Sequence, residues 1–313
     1  MFRLNELEVF LAAAEYSNFS QAARRLHISQ PAVSQAIGSL EKNFGMALFT
    51  RQGRTVRLTE AGQALKPMAQ ELLSASRRVE ETMASLQGEV VGEISIGCST
   101  TSGKYLLPGL IARFRQRFPK VRINVWVSSR DTALDRLLSG RVAMSVSSKR
   151  IEHRDLEYQE FFSDEVILVA PRSHRWARFG RIYADDLLDE PIILREEGAG
   201  TREVLMEGLL SRDISPDMLN VAMVLGNTEA IELAVEEGLG VAFISRLAAA
   251  RCLAVGRIVE VKVEGMSLKR QILLARNRRL PATRAQGEFW DFVSAADTQS
   301  GLYETALGKM SAA

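Results

Sequence analysis

Apolar side chains recur at helical spacing from the start of the chain. Leu4, Leu7, Phe10 and Leu11 share one face of an opening helix. Asn18 or Ser20 can cap a short second helix whose apolar side is Ala22, Ala23 and Leu26. His27, Ile28 and Ser29 make the next turn. Ser29 suits the cap of a third helix, which tolerates Pro31 because the first-turn N–H groups have no helical partner. That helix runs from about Gln30 to Asn43. Val33, Ala36, Ile37 and Leu40 line its apolar face; Pro31, Gln35, Gly38 and Lys42 line the opposite one, flanked by Ser34 and Ser39. The period then shortens. Two strand-like runs, 47–51 and 55–58, flank Gln52-Gly53-Arg54 and predict a hairpin.

From Thr59 to about Gln87 the helical period returns. Leu65, Ala69, Leu72, Ser76, Val79, Met83 and Leu86 alternate spacings of four and three, which suits a coiled-coil seam between two copies or a stripe packed on the helix's own domain. The charged remainder of the surface, Glu71, Arg77, Arg78, Glu80 and Glu81, favours the seam, with Leu65, Leu72, Val79, Met83 and Leu86 as its dimerisation residues. Gly88 and Gly92 mark a boundary. Beyond them strands are expected at 93–98, 122–128, 142–147, 166–170, 220–225, 241–244 and 271–274. Helices are expected at 105–118, 131–139, from about 200, at 227–237 and at 284–295. Such alternation predicts α/β layers with mostly parallel strands.

Composition places these elements in a soluble, multi-domain chain. It has 313 residues, 46% hydrophobic and 25% charged. No apolar run is long enough for a membrane span, and early acidic residues argue against a signal peptide, so the expected location is the cytoplasm. The net charge is only +2, but from Tyr16 to Thr59 Arg24, Arg25, Lys42, Arg51, Arg54 and Arg57 face a single acid, Glu41. A basic segment in a near-neutral chain is the footprint of a polyanion. The acid-free, short-chained outer face of the third helix suits a DNA major groove, and the basic hairpin suits phosphates: together they predict a winged helix-turn-helix.

Candidate chemistry in the α/β region lies at strand ends that lead into helix starts, where free N–H groups favour small anions. Three such places carry hydroxyls or amides: Ser99-Thr100-Thr101-Ser102-Gly103, Gly198-Ala199-Gly200-Thr201-Arg202, and Gly226-Asn227-Thr228-Glu229. Capping explains Ser99, Thr201 and Asn227 equally well, and capping and binding are compatible. Arg202 could add a bidentate charge; Ser147 and Ser148 are candidates from the crossover. The only histidines are His27, His153 and His174, and no nucleophile elbow, phosphate loop or metal-ligand spacing is present, so neither a catalytic nor a metal site is expected. Cys98 and Cys252 read as small core residues, reduced in a cytoplasmic chain. The roughly 200 residues beyond the linker exceed what a passive dimeriser needs, which favours a sensor.

The run from Phe19-Ser20-Gln21-Ala22-Ala23 through Arg24-Arg25-Leu26-His27-Ile28-Ser29-Gln30-Pro31 to Ala32-Val33-Ser34-Gln35-Ala36-Ile37, with Leu40-Glu41, Gly45, Leu48-Phe49 and Leu58-Thr59-Glu60-Ala61-Gly62, resembles the signature of the LysR-type transcriptional regulators. The resemblance extends from about Arg3 to about Ala295. It implies a winged helix-turn-helix head (1–58), a dimerising linker helix (59–88), an α/β effector-binding domain (92–297) and a C-terminal tail (298–313). The effector domain is expected to have two lobes, like periplasmic substrate-binding proteins: lobe I at 92–164 and 268–297, lobe II at 165–267. Gln30, Pro31, Ser34 and Gln35 become expected DNA contacts of the helix, to which the helix's own cap and outer face add Ser29 and Lys42, and Arg51 and Arg54 become those of the wing. The expected effector residues are Ser99, Thr100, Thr101, Ser147, Thr201, Arg202, Asn227 and Thr228. Implied partners are double-stranded promoter DNA, a second copy or a tetramer, and RNA polymerase. The runs Gly226–Ile231 and Glu237–Arg246 are similar to the carbon-fixation and sulfur- or nitrogen-assimilation branch, which implies no cofactor beyond a small anionic effector such as a sulfur oxyanion or sugar phosphate. Gly38-Ser39 and Ala143 depart from the family's usual residues.

Overall fold

The computed structural model describes residues 2–52 and 55–295. They form two compact units, one reaching from the N-terminus to Gly92 with Ser139–Arg141, the other comprising Glu93–Leu138 and the chain from Val142 onward. Among the described residues no helix is long and apolar enough to cross a membrane.

The first unit is built from helices α1 (Leu4–Tyr16), α2 (Phe19–Leu26) and α3 (Gln30–Phe44), strands β1 (Phe49–Gln52) and β2 (Thr55–Leu58), and helix α4 (Glu60–Leu86). Caps set the helix starts. The Asn18 side chain accepts from Ser20 and Gln21 N–H at 2.9 and 3.0 Å, and Ser29 Oγ accepts from Ala32 N–H at 3.3 Å. Gly45 ends α3 at φ +66°, a left-handed conformation that costs glycine nothing. β1 and β2 pair antiparallel with Gln52 opposite Thr55. Leu7, Phe10, Val33, Ile37, Leu40, Leu48 and Phe49 form the core, with Phe10 and Phe19 each 5.5 Å from the Phe49 ring.

Helix α4 corrects one expectation. Its seam divides: Leu65 and Ala69 turn inward with Leu73 onto the core of this unit, so Leu65 leaves the dimer stripe. The cause lies in the first turn. Thr59 Oγ1 donates to the Ala47 carbonyl at 2.6 Å and accepts from Gly62 N–H at 3.1 Å. A Cβ on Gly62 would stand 2.2 Å from the Leu48 carbonyl oxygen, so the helix lies directly against the chain leading into the hairpin. A spacing of four from Leu65 through Ala69 to Leu73 then faces the core, while Leu72, Val79, Met83 and Leu86 remain exposed.

The second unit contains β3 (Gly92–Cys98), α5 (Leu107–Arg117), β4 (Val121–Val127), α6 (Arg130–Leu138), β5 (Met144–Ser147) and β6 (Leu156–Pro171). There follow α7 (Trp176–Phe179), β7 (Arg181–Ile182), β8 (Ile192–Arg195), α8 (Gly200–Leu210), β9 (Val221–Leu225), α9 (Thr228–Glu236), β10 (Val241–Ser245), α10 (Arg246–Ala254), β11 (Ile258–Val263), β12 (Leu268–Asn277) and α11 (Arg284–Ser294). One sheet runs in the order β4-β3-β5-β12-β6-β10-β8-β9, with β11 also on β6. Each half contains parallel pairs, as expected: β3 with β5, β8 with β10, β8 with β9. The middle is antiparallel, because β6 and β12 are long strands that serve both halves. The strand expected at 166–170 is the second part of β6, and that at 271–274 the middle of β12. Separate apolar clusters serve the two halves: Leu134, Leu137 and Val142 in lobe I, and Ile167, Val169 and Ile231 among those of lobe II.

Candidate DNA-reading face and effector cleft

On α3 the two faces separate as the period requires. Val33, Ile37 and Leu40 are buried, while Gln30, Pro31, Gln35, Gly38 and Lys42 are exposed and Ser34 is half-buried. Gln30 Nε2 donates to Ser34 Oγ at 2.9 Å across one helical turn. The lone acid of the segment is turned away. Glu41 Oε1 accepts from the N–H groups of Leu48 and Phe49 at 2.7 and 3.3 Å, fastening the start of the hairpin to α3. Ser39 serves α1: its hydrogen bond, with the Arg3 N–H, holds the Glu6 carboxyl below the usual carboxylate range. Arg51 falls in β1, and Arg54 lies outside the described residues, as does the expected tail at 298–313.

In the second unit the strand-end loops of the two lobes meet. Thr201, in the first turn of α8, is buried, and its hydroxyl has no hydrogen-bond partner. Beside it, a Cβ on Gly200 would stand 2.4 Å from Ser148 Oγ, 3.1 Å from Arg270 Nη1 and 3.6 Å from Arg130 Nη1. Two guanidinium nitrogens and a hydroxyl thus converge on a helix N-terminus. Arg130 crosses from lobe I: Nε donates to the Gly198 carbonyl at 3.1 Å and Nη2 pairs with Glu203. Arg270 Nε and Nη2 donate to Asp164 Oδ2 at 2.8 and 2.6 Å, and Ser245 Oγ donates to Asp164 Oδ1 at 2.8 Å.

A second bridge joins the lobes at α9. Tyr105 donates to Glu229 Oε1 at 2.5 Å and Lys104 Nζ pairs with the same oxygen at 2.7 Å. Both come from the π turn Ser102–Leu106, which leads into α5 where the helix was expected to begin at 105. Burial pushes the Glu229 carboxyl up, but Lys104 and Tyr105 outweigh burial and hold it below its usual range. Burial, with Glu229 beside it, pushes the Tyr105 hydroxyl far up, so it stays a donor.

The remaining expected residues do local work. Asn227 caps α9, accepting from Glu229 and Ala230 N–H at 2.9 and 3.3 Å. Thr228 Oγ1 accepts from the buried Arg195 at 3.1 Å, and Arg202 donates to the Arg195 carbonyl at 3.1 Å rather than into the cleft. Ser99 Oγ donates to Ser102 Oγ at 3.4 Å; Ser147 Oγ accepts from Lys149 N–H at 3.1 Å; Thr100 is half-buried and Thr101 buried. Sequence reasoning missed Arg130, Arg270 and Asp164. Arg130 could have been found, because it opens α6 beyond the end of β4. Arg270 and Asp164 lie inside strands, where no local signal marks them. Burial pushes the Cys98 thiol up to about 12 and, with Glu232 beside it, Cys252 up to about 11; neither is an activated thiol.

Both parts of the chain resemble known proteins. A family model described as "LysR substrate binding domain" matches residues 87–297, and one described as "Bacterial regulatory helix-turn-helix protein, lysR family" matches residues 4–63. The chain is 31% identical to the HTH-type transcriptional activator CmpR of Synechocystis sp., over 94% of this chain and 95% of that one. It is 34% identical to a probable RuBisCO transcriptional regulator of Cyanidioschyzon merolae, over 88% and 92% of the two chains. The Synechocystis CcmR regulatory domain, solved in complex with 2-PG, is 25% identical, with a TM-score of 0.59 over 64% of this chain and 95% of that one. The chain therefore belongs to the LysR family of DNA-binding transcription regulators, with an N-terminal helix-turn-helix head and a C-terminal effector-binding domain.

Proposed function

We propose that this regulator works in the cytoplasm as a homo-oligomer whose promoter binding responds to a small phosphorylated or sulfur-containing oxyanion held between the lobes. The observation that carries the reading is the buried, unpartnered Thr201 hydroxyl beside Ser148, Arg130 and Arg270. An unpaired buried hydroxyl costs about 1–3 kcal/mol, which a ligand oxygen recovers. The first-turn N–H groups of α8 and two guanidinium nitrogens supply the donors an oxyanion needs. The 2-PG (2-phosphoglycolate) in complex with the CcmR regulatory domain is a ligand of this chemistry, in a relative of the same family.

In the head, Gln30, Pro31, Ser34 and Gln35 face base edges, while Ser29, Lys42, Arg51 and Arg54 serve the phosphates. The exposed stripe Leu72, Val79, Met83 and Leu86 meets its copy in a second chain, giving two heads for a two-fold symmetric site. Dimers pair into a tetramer, and RNA polymerase is the further partner. A ligand bridging the lobes shifts the population of closed cleft and, through it, the placement of the heads.

The test is melting of the full chain against 2-phosphoglycolate, sugar phosphates and sulfite. A ligand present at a hundred times its Kd stabilises by about 2.7 kcal/mol. Thr201→Val is expected to lose that gain while folding normally. If none of these anions raises the melting temperature, the anion reading is wrong.

A further inference from the structure

Arg130 and Arg270 each arrive at the α8 N-terminus with a carboxylate attached, so the group carries no net charge before a ligand enters. The two carboxylates are held differently. Asp164 is 4% exposed, stands opposite Arg270 in the β6–β12 register, and also accepts from Ser245. Leaving Arg270 would strand two buried charges. The Glu203 side chain is 39% exposed, and among the described residues its one side-chain partner is Arg130, itself 5% exposed. Turned into water, Glu203 is solvated, and Arg130, still bonded to the Gly198 carbonyl, is the one buried charge of that pair left for a ligand to meet. Its place in the first turn of α8 also makes it a resident anion where an incoming oxyanion would be stabilised by the same N–H groups.

We infer that Glu203 is an internal competitor of the effector. Glu203 neutralises Arg130 while the cleft is empty and yields it to the ligand's oxyanion. The inference rests on the reading of the cleft as an anion site, and makes Glu203 a specificity-determining residue rather than a ligand contact. Exchange brings little net gain to a singly charged anion, which only replaces the carboxylate it displaces. A dianion gains, because it engages Arg130 and Arg270 together. The carboxylate thus filters abundant monoanions and sets the concentration at which the sensor responds.

The test uses the full chain titrated calorimetrically with inorganic phosphate at about pH 8, where the dianion dominates, and with nitrate as a monoanion. Glu203→Gln is expected to bind phosphate about 3- to 10-fold tighter and nitrate measurably, narrowing the discrimination between them. A merely structural residue would not give tighter binding when neutralised. Glu203→Asp, whose shorter arm withdraws from Arg130, is expected to move the same way by less, and covers the case in which the amide variant fails to fold. Arg130→Met weakens phosphate binding and abolishes the gain in the double variant. If wild type binds phosphate saturably and Arg130→Met does not, yet Glu203→Gln is unchanged or weaker, the competitor role is overturned and the anion site stands. If wild type shows no saturable binding, both fall together.

Discussion

The two functional regions hold their polar groups in opposite ways. On α3, Gln30, Pro31, Gln35 and Lys42 stand in solvent above a buried face of Val33, Ile37 and Leu40. In the cleft, Arg130 and Asp164 are buried, the Arg270 side chain is 7% exposed, and all three are paired before any ligand comes. A DNA duplex presents a long external surface, and an exposed helix face can wait for it without internal partners. A small metabolite must be enclosed, so the cleft desolvates its charges beforehand and settles them with internal carboxylates. Residues of the exposed face can therefore change at little cost in stability, while the cleft cannot lose a buried charge without a cost to its own fold.

Substitutions can break that contrast, beginning with the largest effect. Arg270→Met leaves Asp164 buried with only Ser245 for a partner. The effector-binding domain is expected to lose roughly 3–5 kcal/mol in chemical denaturation; a wild-type unfolding curve would show that the pair is not structural. Gln35→Ala, on the exposed face, is expected to change stability by less than about 0.5 kcal/mol while relaxing base discrimination by about 1–3 kcal/mol, measured on a library of operator variants. Lys42→Ala is expected to weaken binding to all sequences alike and to lower the slope of log affinity against log salt by about 1.

The smallest effects come from two carboxylates on α9, as pH dependence. Burial pushes the Glu232 carboxyl above its usual range, against a hydrogen bond from Cys252, and one of its oxygens has no partner. The folded chain therefore holds a proton that the unfolded chain releases. That stability is fully present below the ordinary carboxylate value and is lost as pH rises through the folded value. Glu229 runs the other way: its lowered value gives stability above the ordinary range that disappears as pH falls through the folded value. In melting curves across pH, Glu232→Gln is expected to flatten the loss on the alkaline side of the carboxylate range, and Glu229→Gln the loss on the acid side.

The same contrast governs what could be read in advance. The head's fold was legible because its pattern is local: a 3.6-residue period sorts Val33, Ile37 and Leu40 from Gln35 and Lys42, and Ser29 caps the helix. In the second unit the helix starts at Gly200 and Asn227 were also legible, each following a strand and a glycine, although only Asn227 caps its helix. The charges were not. Arg270 and Asp164 meet only because β12 pairs with β6 across more than a hundred residues of sequence, and nothing nearby in the chain distinguishes them from solvated charges. Leu65 shows the limit of periodicity itself. Spacing says that a stripe is apolar, but whether it meets a partner or its own domain depends on the docking of Gly62 against Leu48.

That docking matters to anyone who would graft this head onto another sensor. A chimera cut after the hairpin, at Leu58, would discard Ala69 and Leu73, which close the core of the head, and leave its apolar floor open to solvent. A cut beyond Leu73 keeps the floor, and falls where the apolar stripe of α4, Val79, Met83 and Leu86, is exposed rather than packed on the head.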